Sequence, residues 1–529
     1  MLRSVLTVGG WTMTSRVLGF ARDMLIAHRL GAGPVADAFF VALQLPNLFR
    51  RLFGEGAFNA AFVPAFAGAL AREGRAAAHD LAERMAGLMA LWLALLTLLG
   101  LLFMPQVLAV LVPGFLGRPE KFALTVELAR ITLPYLWFIC LTALVSGVLN
   151  GLDRFAAAAA APVLFNLLGM AALLGLTPYV ATPAHALAWG VAASGVAQLL
   201  LVLAAARRAG MALTLLRRPR LTPAVREVLR KMVPGLIGGG AVNINLFVAT
   251  LIASLLPSGA VSYLYYADRV AQLPLGVIGA AVGTALLPLL SRHTRGGRPL
   301  AAHRATNRAV ELVLLLTLPG AAGLAVLAEP VVGTLFERGA FDSAATRAAA
   351  AALVAYAAGL PAFVLVKVFA PGFFARGDTT TPVAVGLGAM AANLVLNLVL
   401  AWPLAHVGIA LATSLAAWGN ALTLAALLAR RRRLVLDRRT RRRLPRIAAA
   451  AAAMALALGA VAPALSASGA GSAARAATLA LLVAIGAGIY GGLALALGAV
   501  APAELRALLA RRRAPSGVGG DAPVGAATP

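Results

Sequence analysis

Apolar residues run along this chain in blocks of twenty or more, separated by short polar stretches. The blocks lack the two-residue alternation of a half-buried strand and the broad polar face of a soluble amphipathic helix. A helix that crosses a bilayer needs about 20 predominantly apolar residues. Fourteen blocks of that kind can be placed, centred near residues 16, 46, 98, 136, 167, 196, 244, 276, 320, 359, 391, 417, 455 and 488. Several are longer than a bilayer requires and hold internal Pro or Gly, which predicts tilts and kinks. The second, with Pro46, Gly54, Gly56 and Pro64, is the most irregular. The pattern predicts an all-α polytopic membrane protein with fourteen transmembrane helices.

Composition supports this, because only 12% of the 529 residues are charged, half of what soluble domains carry. The net charge of +27 comes from 46 basic against 19 acidic residues, and the basic ones gather in alternate polar stretches. One stretch runs from Arg207 to Lys231; another, Arg430 to Arg446, carries ten arginines against Asp437. The intervening stretches, near 180, 258 and 404, carry essentially no charge. This asymmetry predicts both termini in the cytoplasm. It reads as a topology determinant, and no nucleic-acid partner is expected. No cleavable signal peptide is expected at the N-terminus. The lone Cys140 excludes a disulfide framework or a Cys-based metal site. Six scattered histidines offer no metal spacing. With three lysines (Lys121, Lys231, Lys367) there is no phosphate-binding Gly-Lys motif. No carboxylate pair suits a metal-dependent transferase. Neither an enzyme nor a cofactor is expected.

The chain also repeats itself. "ADAFFVALQLP" (36–46) is echoed by "LYYADRVAQLP" (264–274), and "SGVLNGLDRFAAAAAAPV" (146–163) more weakly by "APGFFARGDTTTPV" (370–383). The offset corresponds to six spans, which predicts two parallel six-helix lobes with a site between them. The expected division is a first lobe over 1–210, a basic linker over 211–231 and a second lobe over 232–430. A basic loop (431–446), two further helices (447–505) and a disordered tail (506–529) follow.

Against this background, arginines inside the spans stand out. Arg16 and Arg50 each lie about 17 residues from the turn at 31–34, and Arg22 about 11. Arg269 lies about 11 residues beyond the turn near 257. At 1.5 Å per residue, Arg22 and Arg269 share a level about 16 Å deep, with Arg16 and Arg50 about 25 Å deep. Intramembrane charges usually pair, and Asp23, Asp37, Glu55 and Asp268 are near in sequence. With Arg51 added, the arginines outnumber them. Structural salt bridging is the alternative to a functional role. An Arg22–Asp37 pair is expected to close the outer side. The planar guanidinium holds phosphate oxygens bidentately and keeps its charge, so a cavity ringed by arginines suits a phosphate or pyrophosphate.

At "SRVLGFARD" (15–23), "DAFFVALQLPNLFRRLFGEGAFNAAFVP" (37–64), "YYADR" (265–269) and "VKVFAPGFFARGDTTTPV" (366–383), the chain resembles the MurJ (MviN) family of lipid II flippases, within the multidrug/oligosaccharidyl-lipid/polysaccharide exporter superfamily. The resemblance implies two lobes in a V around a cationic cavity, and a lipid-tail groove formed by the last two helices. It implies that Arg16, Arg22, Arg50 and Arg269 bind substrate, with Asp23, Asp37, Arg51, Glu55 and Asp268 as gating or charge partners. Some members of the family carry a sodium site. Asn245, Asn393, Asn397 and Thr413 fall at suitable spacing for one, although amides stand where carboxylates are expected; interhelical hydrogen bonding is the alternative. The implied function is alternating-access translocation of the undecaprenyl-pyrophosphate-linked peptidoglycan precursor for cell wall biogenesis. Lipid II, membrane phospholipids and cell wall synthesis proteins are the implied partners. Alternatives are a flippase for another polyprenyl-linked glycan, a drug/cation antiporter, or a membrane-embedded transferase.

Overall fold

The computed structural model describes residues 2–51, 57–215, 217, 220–296, 299–466 and 471–501. Glu55 and the tail over 506–529 therefore lie outside the described residues. The described chain is helical nearly throughout. The first lobe comprises α1 (Leu2–Leu30), α2 (Pro34–Phe49), α3 (Ala57–Arg72), α4 (Arg75–Leu102), α5 (Met104–Leu111), α6 (Pro119–Thr132), α7 (Tyr135–Gly151), α8 (Ala156–Gly175) and α9 (Pro183–Arg208). In the second are α10 (Pro223–Leu255), α11 (Ala260–Arg295), α12 (Pro299–Val326), α13 (Ala328–Phe336), α14 (Ser343–Phe374) and α15 (Thr380–Arg430). The chain closes with α16 (Arg438–Ser466) and α17 (Ser472–Ala496).

Among the described residues, nine helical stretches are long and apolar enough to cross a membrane. One of them, α15, is 51 residues long, about 76 Å at helical rise and too long for one crossing. It folds back at Ala405, whose φ of 49° and ψ of −133° leave the helical region two residues after Pro403. Helices α1, α10 and α11, with 29, 33 and 36 residues, have the length, and each carries charge or Gly and Pro within it. Counted by chain reversals, the described helices are consistent with fourteen crossings. The irregular second span is two helices, α2 and α3.

Local sequence sets the boundaries. Pro34, Pro183 and Pro223 occupy first-turn positions, where a missing N–H costs nothing. Thr222 and Asp342 cap α10 and α14 by accepting from Val225 N and Ala345 N, satisfying donors that the first turn leaves free. Large apolar side chains then fill each lobe. Phe39, Phe58, Phe62, Phe66 and Met85 are fully buried in the first, Val364, Val368 and Phe373 in the second.

Two features bear on how the lobes move. At the end of the bundle near Gly31, the lobes touch backbone to backbone. Ala340 N donates to His28 O at 2.9 Å. Gly31 adopts φ +67°, and a Cβ there would collide with the Ala340 carbonyl, so both backbone and space demand glycine. At the opposite, basic end, the inter-lobe linker lies along α4. Glu83 accepts from Thr214 N at 2.9 Å and from Arg217 at 2.7 Å, and Arg217 also reaches Asp80 at 3.0 Å. The Arg217 carbonyl occupies the space a side chain at Gly87 would need.

Helices α16 and α17 attach to the second lobe at three levels. Glu311 of α12 accepts from Arg308 at 2.5 Å and Thr440 at 2.6 Å, and pairs with Arg439 and Arg443 at 3.4 Å. Tyr490 donates to Leu315 O at 2.7 Å, and Arg475 pairs with Glu337 at 3.0 Å.

Candidate substrate cavity

A cavity of about 1120 Å³ lies between the lobes. Both members of the sequence repeat face it. Gln44 and Gln272, from the two Gln-Leu-Pro segments on α2 and α11, line its walls. So do Arg16, Arg22, Arg50, Arg51 and Arg269, four from the first lobe and one from the second, together with Asp23 and Asp268.

Arg22 is held from several directions. Its guanidinium stands 4.9 Å from the Phe165 ring, and its stem packs against Gly169 of α8, where a Cβ would sit 3.4 Å away. Asn166 braces the two helices by donating to Ser15 O at 2.9 Å. Arg22 and Asp23 are only 5% and 2% exposed, and buried charges of this kind persist only when paired and hydrogen-bonded. Arg22 Nη2 bonds Asp23 Oδ1 at 2.8 Å, and Arg269 Nε from the other lobe bonds Asp23 Oδ2 at 3.1 Å. Tyr265 also donates to Asp23, at 3.1 Å, and stacks on Phe40 with ring centroids 3.8 Å apart. Thus one carboxylate is shared by two arginines from two lobes. Equal depth, inferred by counting from the turns, brings Arg22 and Arg269 together here. The Arg269 side chain is 39% exposed, open to the cavity.

The remaining charges divide. Arg50 reaches Asn47 Oδ1 at 3.4 Å. Asp268 accepts from Gln272 one turn along α11. Among the described residues no carboxylate pairs with Arg16, whose guanidinium lies against α11 at Gly276, where the absent side chain leaves room for it.

Asp37 corrects one expectation: it does not pair with Arg22. It is 1% exposed and bonds Lys121 Nζ of α6 at 2.6 Å. It also accepts from Gly259 N at 2.7 Å, Ser262 N at 2.9 Å and Ser262 Oγ at 2.5 Å. Asp37 therefore caps the N-terminus of α11, where free N–H groups and the helix dipole favour a carboxylate. It ties the lobes near Gly31. Arg118 to Ser258 at 2.8 Å and Tyr266 to Gly31 O at 3.1 Å reinforce the same seam. Lys121 escaped the sequence reading because it lies 84 residues from Asp37. Its signal was that it is one of three lysines and opens an apolar span.

Asn245, Asn393 and Thr413 line the cavity. Asn397 donates to Asn393 Oδ1 at 2.9 Å, and Thr413 to Ile409 O at 3.0 Å. Asn245 Oδ1 and Asn397 Oδ1 are buried and lack a hydrogen-bond partner among the described residues, as does the donor Asn393 Nδ2. The set offers neutral oxygens and no carboxylate, so it brings no opposite charge to a cation. Among the described residues no cluster of three His, Cys, Asp or Glu could hold a metal.

The family profile described as Lipid II flippase MurJ matches residues 26–472. The chain belongs to the MurJ lipid II flippase family. A probable lipid II flippase MurJ of Rhizobium meliloti is 47% identical over 455 residues, covering 85% of this chain and 84% of that protein. The lipid II flippase MurJ of Burkholderia cenocepacia is 38% identical, covering 80% and 83%. Among solved structures, a lipid II flippase MurJ in an inward closed conformation superposes with a TM-score of 0.76 at 22% identity, covering 95% of this chain and 99% of that one. An inward-facing multidrug resistance MATE family transporter of the MOP superfamily gives 0.67 at 16%, covering 81% and 98%. The MurJ fold, two helical lobes with a further helix pair, is thus the fold of this chain. It is a multi-pass membrane transporter, not an enzyme.

Proposed function

We propose that this chain flips lipid II from the cytoplasmic to the outer leaflet. Arg16, Arg22, Arg50 and Arg269 receive the pyrophosphate, and Arg51, Asp23, Asp37, Glu55 and Asp268 serve as charge and gating partners. The observation that carries this reading is the shared carboxylate. Among the described residues Arg22 and Arg269 pair with a single carboxylate, Asp23, and no carboxylate pairs with Arg16. The cavity therefore holds surplus positive charge in a region where uncompensated charge is costly. A diphosphate removes that cost when it binds. A drug cation would need free carboxylates; Asp23 and Asp37 are committed, and Asp268, bonded to Gln272, is outnumbered by the five arginines that line the same cavity.

The basic loops support a cytoplasmic position for that end of the bundle and for both termini. With Asp37, Gly31 and Tyr266 tying the far seam, the cavity is accessible from the cytoplasmic leaflet. Rocking of the first lobe (1–210) against the second (232–430), joined by the linker 211–231, would break that seam and turn the cavity outward. The polyprenyl tail stays in lipid beside α16 and α17, where Leu456 and Val483 are exposed. Membrane phospholipids and cell wall synthesis proteins complete the surroundings. The sequence carries no nucleotide motif, so the membrane potential or an ion gradient biases the cycle; a charge moved through the field is worth about 2.3 kcal/mol per 100 mV. The test compares binding of the purified chain to lipid II and to the same polyprenyl glycan with a neutral linkage. A strong preference for lipid II is expected; equal affinity would refute the pyrophosphate cavity.

A further inference from the structure

One cation in the cavity is absorbed by none of this. Lys367 lines the wall from α14, in the second lobe. Tyr356, Leu360, Phe363 and Lys367 line the cavity together, at spacings of four, three and four residues, which is one face of a helix. The face is aromatic and aliphatic until the lysine. Among the described residues no carboxylate pairs with Lys367. A lysine near a helix end often snorkels to the headgroup region, but this side chain is exposed on the cavity-lining stripe.

Its level along the bundle separates it from the arginines. Counted from the Gly31 end, Arg269 lies nine residues into α11 and Lys367 twenty-four into α14, so they differ by about 22 Å at helical rise. Arg16, fourteen residues from that end of α1, and Arg50, sixteen from that end of α2, are about 15 and 12 Å from the lysine's level. A ligand whose pyrophosphate rests among the arginines therefore meets Lys367 only with a group about 12–22 Å away. A five-residue stem peptide spans at most about 17 Å when extended, is joined through a sugar, and ends in a carboxylate.

We infer that Lys367 forms a second anion subsite, on the second lobe near the cytoplasmic mouth, that takes a carboxylate of the stem peptide while the arginines hold the pyrophosphate. This rests on the pyrophosphate assignment above. It makes the two lobes read two ends of one headgroup, so that lobe motion is coupled to an intact substrate. A primary ammonium on a flexible stem suits a mobile peptide terminus better than a rigid guanidinium fork would.

The test uses the purified full chain in nanodiscs and three probes: lipid II, lipid II with its peptide carboxylates amidated, and the undecaprenyl-pyrophosphate disaccharide lacking the peptide. Lys367→Gln is expected to weaken lipid II about tenfold, the value of one charge-assisted bond, and to leave the other two probes unchanged. Lys367→Arg should keep most of the affinity. An equal loss on all three probes would assign the lysine to the pyrophosphate and overturn the proposal, as would undiminished binding of lipid II. Arg16→Ala should weaken all three. If it weakens none, the pyrophosphate assignment falls separately, and Lys367 is still judged on the difference between lipid II and its amidated form.

Discussion

Among the described residues two carboxylates bridge the lobes, and they do opposite work. Asp37 meets one cation, Lys121, and three donors at the start of α11. Its oxygens are used up and the charges balance. Asp23 meets two arginines and a tyrosine. The site as a whole stays positive, with Arg269 open to the cavity. A balanced, buried pair is a latch, because nothing further can join it and opening it exposes both charges. An unbalanced one is a receptor, because an arriving anion completes it. The same residue type, at two depths of one seam, separates holding the lobes shut from holding the substrate.

The largest expected effect lies on the receptor side. Arg22→Ala or Arg269→Ala should abolish support of growth in cells depleted of their own flippase, while membrane levels of the protein stay normal. Lysine at either position should restore only part, since the planar fork is lost. Full complementation by the alanine variants would place Asp23 in the same structural class as Asp37.

On the latch side the readout is stability. Asp37→Asn leaves Lys121, 5% exposed, buried without a counter-charge, which should cost about 3–5 kcal/mol. Thermal unfolding in detergent should show a large drop, and adding Lys121→Met should recover most of it. Without recovery, the loss would trace to the α11 cap and not to the buried charge.

A smaller effect comes from a carboxylate that bridges no lobes. Asp378, between α14 and α15, accepts from Thr381 N at 3.0 Å and Thr381 Oγ1 at 2.9 Å, and pairs with Arg431 at 2.5 Å. These partners, the Thr381 amide first, hold its carboxyl down at about 2. Because the folded value lies below the unfolded one, the stabilisation is present above pH about 4 and fades as pH falls towards 2. Asp378→Asn should lower the melting temperature slightly at neutral pH, and the gap should close over that acid range. The smallest expected effect is none. Replacing sodium by potassium should leave stability and lipid II binding unchanged, given the amide set at Asn245, Asn393 and Asn397. A sodium-specific rise in melting temperature would give those residues a cation.

Much of this was legible in the sequence, for particular reasons. Hydropathy and loop charge yield an all-helical membrane protein because the bilayer forces every backbone group into helix or barrel. The meeting of Arg22 and Arg269 could be counted out because helical rise is fixed and both hairpin turns are short. The partner of Asp37 could not. It depends on how α6 packs against α2, and no periodicity encodes which of two nearby cations wins. Lys367 carried a signal in its stripe with Tyr356, Leu360 and Phe363, but a stripe shows a face without showing what it faces. The reversal at Ala405 was implied only as a gap between two apolar blocks.

The docked linker sets a leash. Helix α9 ends at Arg208 and α10 starts at Pro223, fifteen steps that could stretch to about 50 Å if free. Because Thr214 and Arg217 are fastened to Glu83, the slack left before the Thr222 cap is five steps, about 18 Å. The covalent join is then a short strap anchored on α4. It caps how far the basic ends of the two lobes can separate, so the larger excursion falls to the Gly31 end once the Asp37 latch opens.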